Sequence, residues 1–214
     1  CELDVQLTKD GSLAAYHHKE LDQYTNFKGS VRDHEAGELM DCHYKGDHPE
    51  NVSLVLVDRL FEILGKDNEY IFSFDCKFNI EDEKERVAHY VEFIDAIEML
   101  VNKHGMNNRI FIEADHVDFH RLLRSRGISV RQFITGKGVK KGLIIASELG
   151  LFGIGVGSRI SKKEVERAHG LGLRVMTWTP TNAFSNARAV RKNPDYIQTA
   201  DVAHLVKLLG RGSE

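Results

Sequence analysis

The amino-acid sequence predicts an α/β protein built on a parallel sheet, and an eight-stranded TIM (β/α)8 barrel is the predicted fold. Short β-rich apolar runs alternate with amphipathic helical patterns along the chain, which is typical of parallel sheets. Charged side chains fall near the ends of several predicted strands, where barrels carry their working groups. The 214 residues suffice for one core, so a single domain over 1–214 is predicted.

Seven main strands alternate with helices along the chain. The predicted helices begin near Val57, Ile80, Val139, Ser161, Asn182 and Val202, and a further one runs through Phe119, Leu122 and Leu123. Several end at a glycine such as Gly65 or Gly105, a common helix stop. The predicted strands are 2–7, 70–77, 109–113, 129–134, 153–157, 173–178 and 196–198. An eighth strand, with its helix, is expected upstream of Glu2. A doubly wound open sheet is the alternative, because a barrel without its first strand would leave an edge unpaired.

The chain begins with a predicted strand, residues 2–7, in which polar and apolar side chains alternate. Glu2 and Asp4 share one face of the first strand, whereas Leu3, Val5 and Leu7 take the other. A second short strand, over residues 13–16, leads to His17. Two carboxylates on one face are costly unless a cation or proton lies between them, and an imidazole nearby could carry a proton. The competing interpretation is a half-solvated strand with one wet face.

Three stretches of the chain match one family in order. They are Glu2–Gly11 with His17, Leu21 and Thr25; Phe74–Lys77; and Val175–Thr179. These stretches resemble the Glu-x-Asp-Val-x-x-Thr-x-Asp-Gly, Glu-x-Lys and Val-x-x-Trp-Thr motifs of the glycerophosphodiester phosphodiesterase family. The resemblance covers nearly the whole chain and implies the TIM-barrel fold. Residues 26–50 resemble the short insertion that this family carries after its catalytic hairpin.

The resemblance implies a metal-dependent hydrolase that cleaves a glycerophosphodiester to glycerol 3-phosphate and an alcohol. The carboxylates of Glu2, Asp4 and Asp75 would bind Mg²⁺ or Ca²⁺, and the cation would polarise the phosphate. His17 would be the general acid. The predicted substrate contacts are Lys77, on a phosphate oxygen, and Trp178, as an apolar wall beside the glycerol carbons, with Glu113 and Gln132 at strand ends.

Several of these residues also have other interpretations. Asp75 and Lys77 could form a plain ion pair at a strand end, and Trp178 could be packing. Glu113 could add a carboxylate to the site or pair with a base such as Lys77, and Gln132 is a hydrogen-bond candidate.

Three departures from the family pattern leave other functions open. Asp75 stands where the family has Glu, His18 stands where it has Asp, and its His-Arg-Gly strand is absent from the sequence. The abrupt start of the match at Cys1 leads us to expect upstream residues. One alternative is a catalytically weakened relative that binds glycerophosphate-like ligands. Another is a related barrel phosphodiesterase that acts on lysophospholipids or sphingolipids.

The composition of the chain limits the classes of molecule that it is expected to bind. The net charge of −3 offers no basic surface for nucleic acid, and no apolar run reaches the about 20 residues of a membrane span. A small-molecule substrate is therefore the expected partner. The sequence specifies neither the compartment nor the oligomeric state.

Overall fold

The first strand and its hairpin open the fold. β1 spans Glu2–Leu7 and pairs antiparallel with β2, Leu13–Ala15. The turn between them is fixed by Thr8, whose hydroxyl bonds to Asp10 and accepts from the Ser12 amide. Gly11 adopts φ +81°, a left-handed conformation that glycine tolerates without steric cost.

The computed structural model describes residues 1–46, 52–65, 69–80 and 82–210. These residues divide into two compact units. The first comprises Cys1–Ile112 and Arg121–Val130, and the second Glu113–His120 and Arg131–Glu214. The chain passes from one to the other within β5, Ile110–Ala114, and within α4, Val117–Ser125.

In the first unit the strand order is β3-β2-β1-β4-β5. β4, Phe72–Cys76, is parallel to β1, whereas β3, Val55–Leu56, is antiparallel to β2. The helices are α1, Ala36–Leu39; α2, Val57–Leu64; and α3, Arg86–His104. α3 ends at Gly105, which has left-handed φ and ψ angles, as expected of a helix C-terminus.

In the second unit four parallel strands follow in the order β6-β7-β8-β9. Their side chains pack against the helices in a core that includes Ile134, Leu143, Ile154, Val165 and Val175. The strands are β6, Arg131–Ile134; β7, Gly153–Gly157; β8, Arg174–Trp178; and β9, Tyr196–Gln198. The helices are α5, Gly138–Leu149; α6, Lys162–Gly170; α7, Ala183–Val190; and α8, Val202–Leu208.

All seven predicted main strands are present, with ends shifted by at most two residues. The predicted capping box of Ser161 and Glu164 is also confirmed. The helix predicted from Ile80 begins only at Arg86, because the Asp82 side chain accepts from the Lys84 amide and holds a turn there. None of the described helices has the length and apolarity needed to cross a membrane.

The predicted insertion contains more structure than its sequence pattern indicates. Within 26–50 the chain forms a 3₁₀ turn, Val31–Asp33, and the short helix α1. Val31, Leu39 and Cys42 are buried in a small core under β2. The strand β3, also not predicted, closes this edge of the sheet. Residues 47–50 of the insertion lie outside the described residues.

Candidate functional site

Three carboxylates converge on the β1 and β4 strands of the first unit. Glu2 and Asp4 project from one face of β1, and Asp4 is the register partner of Asp75 on β4. Glu2, Asp4 and Asp75 each offer a carboxylate oxygen, and these atoms all lie within 4.8 Å of one another. The structure therefore brings together the three acids that the sequence marks as metal ligands.

Lys77 lies between two of these acids. Its Nζ atom is 3.0 Å from Asp4 Oδ1 and 2.6 Å from Asp75 Oδ2. The side chain is partly buried, with 26% of its surface exposed, so the surrounding water screens these charges less than at an open surface. The lysine offsets part of the repulsion between the two aspartates.

Burial and neighbouring charges shift the pKa values of Asp75 and Lys77 in opposite directions. Burial raises the pKa of Asp75 above its usual range, although the bond from Lys77 and the positive charges of Lys77 and His17 favour the ionised form. Burial alone would lower the pKa of Lys77, but Asp75 and Asp4 together raise it above its ordinary value. Lys77 is therefore a permanent cation at neutral pH.

The donor set of this cluster fits a hard divalent cation. Carboxylate oxygens are the ligands that Mg²⁺ and Ca²⁺ prefer. Lys77 bonds to one oxygen of Asp4 and one of Asp75, so each aspartate retains a second oxygen that can serve as a ligand. Glu2 is exposed, which gives an entering ion access from solvent.

His17 follows the β1–β2 hairpin and is exposed. Its charge lowers the pKa of Asp75 in the protonated state, so the imidazole lies within electrostatic reach of the carboxylate cluster. Its Nδ1 atom is 3.4 Å from Nδ1 of His18. The His18 ring in turn stacks on Tyr24, with ring centroids 4.0 Å apart.

Two residues near His17 were missed by the sequence analysis. Gln6 is the third side chain on the face of β1 that carries Glu2 and Asp4, and it is buried. Its amide bonds to Asn79 and to the backbone on both sides of His17. The period-two spacing from Asp4 was the one sequence signal for Gln6, and nothing in the sequence indicated Asn79.

In the second unit, Trp178 ends β8 and borders a cavity of about 450 Å³. Gly155 lies beneath the indole, and a Cβ atom there would be 3.0 Å from Trp178 Cζ3. Glu113 is buried, and its Oε1 accepts a hydrogen bond from Nε2 of Gln198. Glu113 therefore makes a polar contact with β9, and its Oε2 atom lies 3.6 Å from the position of a Cβ at Gly155 on β7.

Gln132 is engaged with a helix rather than with the polar groups around Glu113. Its Oε1 atom lies 2.9 Å from Nδ1 of His120, and Nε2 of the same ring is 3.0 Å from the carbonyl of Ala114. Gln132 and His120 are both buried, and burial lowers the pKa of His120. Their bond ties α4 to β6.

Comparison with known proteins identifies the family. The sequence model of the Glycerophosphoryl diester phosphodiesterase family matches residues 1–204. The chain belongs to this family. Among the curated relatives is the glycerophosphodiester phosphodiesterase of Bacillus altitudinis, which is 32% identical to this chain over 99 residues. The matched residues cover 42% of this chain and 40% of the relative. The chain spans less than half the length of each curated relative that it matches.

Solved structures of low sequence identity share the fold of this phosphodiesterase-family chain. A protein from Silicibacter pomeroyi DSS-3 superposes with a TM-score of 0.82 at 15% identity, covering 100% of this chain and 84% of its own. A phosphodiesterase from Oleispira antarctica, solved in complex with the product sn-glycerol-3-phosphate, gives a TM-score of 0.77 at 13% identity, covering 98% and 83%. The predicted α/β barrel fold is confirmed by these likenesses.

Proposed function

We propose that this protein hydrolyses glycerophosphodiesters to glycerol 3-phosphate and an alcohol, with a divalent cation held by Glu2, Asp4 and Asp75. The observation that carries the proposal is the convergence of these three carboxylates within 4.8 Å in a chain of the glycerophosphoryl diester phosphodiesterase family. The product sn-glycerol-3-phosphate bound to the Oleispira antarctica enzyme supports the same substrate class.

The bound cation would supply Lewis-acid polarisation of a phosphoryl oxygen. Lys77 brings a second positive charge to the same place, because its ammonium group lies 3.0 Å from Asp4 and 2.6 Å from Asp75. A lysine is a compact point charge that binds phosphate oxygens well. Its raised pKa keeps this charge in place throughout the neutral range.

His17 acts as the general acid in this proposal. Water forms the new bond to phosphorus, the bond from phosphorus to the alcohol oxygen breaks, and the His17 imidazolium donates its proton to that oxygen. The second proton of the water passes to solvent. General-acid catalysis contributes about 10²–10⁴ in rate. Trp178 stays a substrate contact predicted from the family resemblance, and Glu113 and Gln132 stay candidates predicted from their positions near strand ends.

Release of glycerol 3-phosphate from glycerophosphocholine, measured with and without a chelator, tests the proposal. We expect release that stops on chelation and returns when Mg²⁺ or Ca²⁺ is added. His17→Ala should abolish turnover while calorimetry still detects cation binding. His116→Ala, which changes a half-exposed histidine in the second unit, is the matched control and should retain activity. Release unaffected by the chelator would contradict the metal requirement, and near-normal turnover of His17→Ala would exclude it as the acid.

A ligand-binding relative without turnover is the second candidate. It is favoured by His18 and Asp75, which stand where the family has Asp and Glu, and by the stacking of His18 on Tyr24. Binding of glycerol 3-phosphate without hydrolysis of glycerophosphocholine would support it. Lysophosphatidylcholine and sphingomyelin, included in the same assay, separate the lysophospholipid or sphingolipid alternative.

A further inference from the structure

Gln6 holds the backbone on both sides of His17. Its Nε2 atom donates to the carbonyl of Tyr16 at 2.7 Å and to the carbonyl of His18 at 2.7 Å. The side chain is 3% exposed, so these bonds form away from water, where a lost partner is expensive. One amide group therefore connects β1 to both peptide units that flank the imidazole.

Asn79 sets the orientation of that amide. Its Nδ2 atom donates to Gln6 Oε1 at 2.9 Å. Both hydrogens of Gln6 Nε2 and its oxygen are then in use, and a reversed amide would place the oxygen against two carbonyls. Asn79 adopts φ +47°, a left-handed conformation that asparagine tolerates better than most residues. The preceding Phe78 is buried against Tyr90 and Phe93, which anchors this loop.

The His17 ring itself has little to hold it. Among the described residues its one side-chain hydrogen-bond contact is with His18, at 3.4 Å. The position of the imidazole thus depends on the backbone of residues 16–18. Gln6 donates two hydrogen bonds to this backbone, and the Tyr16 amide donates to the Asp4 carbonyl at 2.8 Å. Since Asp4 is one of the clustered carboxylates, β1 positions both Asp4 and the backbone that carries the imidazole.

From this arrangement we infer that Gln6 and Asn79 are positioning residues that hold His17 where it can protonate the leaving alcohol. The inference rests on the proposed function of His17. General-acid catalysis requires the donor within hydrogen-bond distance of the leaving oxygen, and a displacement of about 1 Å can cost about 10²-fold in rate. Neither residue touches the substrate in this assignment, because both act through the backbone beside His17.

The test compares two leaving groups in the full chain. Choline leaves as a poor alkoxide that needs a proton, whereas p-nitrophenolate leaves without one. Gln6→Met removes all three hydrogen bonds at similar length without adding charge beside Asp4. Asn79→Gly removes the amide yet tolerates the left-handed backbone. We expect kcat for glycerophosphocholine to fall about 10–100-fold, with KM, cation affinity and turnover of glycerophospho-p-nitrophenol changed less than threefold.

The matched control is Asn186→Leu, which removes another buried amide. Asn186 bonds to the Asp201 carbonyl and to Thr199, and it has no assigned part in the reaction. This variant should lose stability without separating the two substrates. An equal loss on both substrates in Gln6→Met and Asn79→Gly, or no loss on either, would overturn the positioning role. If Gln6→Met fails to fold, Asn79→Gly decides alone.

A second measurement separates this inference from the proposed function. Backbone amide NMR resonances of Tyr16, His17 and His18 should shift and broaden in Gln6→Met and stay unchanged in Asn186→Leu. If the wild-type chain hydrolyses neither substrate, the proposed function fails, and Gln6 and Asn79 then have no catalytic role through His17. Unchanged resonances in Gln6→Met would show that Gln6 does not hold the backbone of residues 16–18 in place, whatever the activity.

Discussion

Asp4 and Asp75 are register partners on the parallel strands β1 and β4, and Lys77 binds to both. Side chains at paired positions of adjacent parallel strands project to the same face of a sheet. Two aspartates in this arrangement repel each other unless a cation lies between them. Lys77 provides one such cation, and the site retains enough carboxylate oxygen, with Glu2, for a divalent ion as well.

Saturation with Mg²⁺ or Ca²⁺ should stabilise the protein. An ion that binds only the folded state, at 100 times its Kd, contributes about 2.7 kcal/mol. For a chain of this size the melting temperature should then rise by about 5–10 °C. Scanning calorimetry with and without the ion measures this rise, which Asp4→Asn should abolish and Asp41→Asn, at an exposed position, should preserve. An equal rise in both variants would place the ion elsewhere.

Replacement of Lys77 should separate ion binding from catalysis. In Lys77→Met the two aspartates lose their shared cation, so the pKa of Asp75, already raised by burial, should rise further. We expect cation affinity to persist, because no carboxylate is lost, while kcat/KM for glycerophosphocholine falls about 10²–10³-fold. Lys77→Arg keeps the charge and is the control. Loss of ion binding together with activity in Lys77→Met would show that the lysine organises the carboxylates instead.

The sequence predicted the carboxylate cluster because a period of two residues fixes the faces of a strand. Glu2 and Asp4 had to share a face, and Asp75 was placed on a neighbouring strand by the strand–helix order. The register that pairs Asp4 with Asp75 is a product of tertiary packing, and no local pattern encodes it. The family motif supplied what periodicity could not.

The partners of buried amides could not be predicted in this way. Gln6 lies on the acidic face of β1 and Gln132 lies near the start of β6. Gln6 nevertheless bonds to the backbone beside His17, whereas Gln132 bonds to His120. A glutamine is long and bonds equally well to backbone or side chain, so its partner depends on which elements pack beside it. The short strand β3 was not predicted, because its two residues are too few to show a periodic pattern.

Two glycines of β7 should respond differently to alanine. A Cβ at Gly153 would lie 2.2 Å from the Arg174 carbonyl oxygen, and this backbone contact on β8 cannot move without breaking the sheet. The three nearest atoms to a Cβ at Gly155 would all belong to side chains, those of Thr135 at 2.8 Å, Trp178 at 3.0 Å and Glu113 at 3.6 Å, and these can shift. We expect Gly153→Ala to cost more than about 3 kcal/mol of stability and Gly155→Ala about 1–3 kcal/mol.

Denaturant unfolding measures both costs, and Trp178 fluorescence should change in Gly155→Ala because the indole must move. Gly170→Ala is the matched control, because a Cβ in this helical position would meet nothing within 4 Å, and alanine favours the helix by about 0.5–1 kcal/mol. If Gly153→Ala proved as stable as Gly170→Ala, the close approach of β7 to β8 would be disproved.

His89 should make the first unit sensitive to acid. Burial, assisted by the positive charge of Arg32, lowers the pKa of His89 to about 4, and its ring lies edge-on to Phe78 and Phe93. Its Nε2 atom is buried, with no hydrogen-bond partner among the described residues. The unfolded chain takes up a proton near pH 6.5, whereas the folded chain resists until about pH 4.

Between these two pH values the unfolded state therefore binds more protons, and stability falls as the pH decreases. The contribution of His89 is complete above pH 6.5 and lost progressively down to about pH 4. His89→Phe should remove it, reducing the loss of unfolding free energy between pH 7 and pH 4.5 by about 1–2 kcal/mol after solvent screening is considered. Urea titrations across this range measure the difference, and His116→Phe is the control. An unchanged pH dependence in His89→Phe would mean that the acid sensitivity comes from other groups and not from protonation of His89.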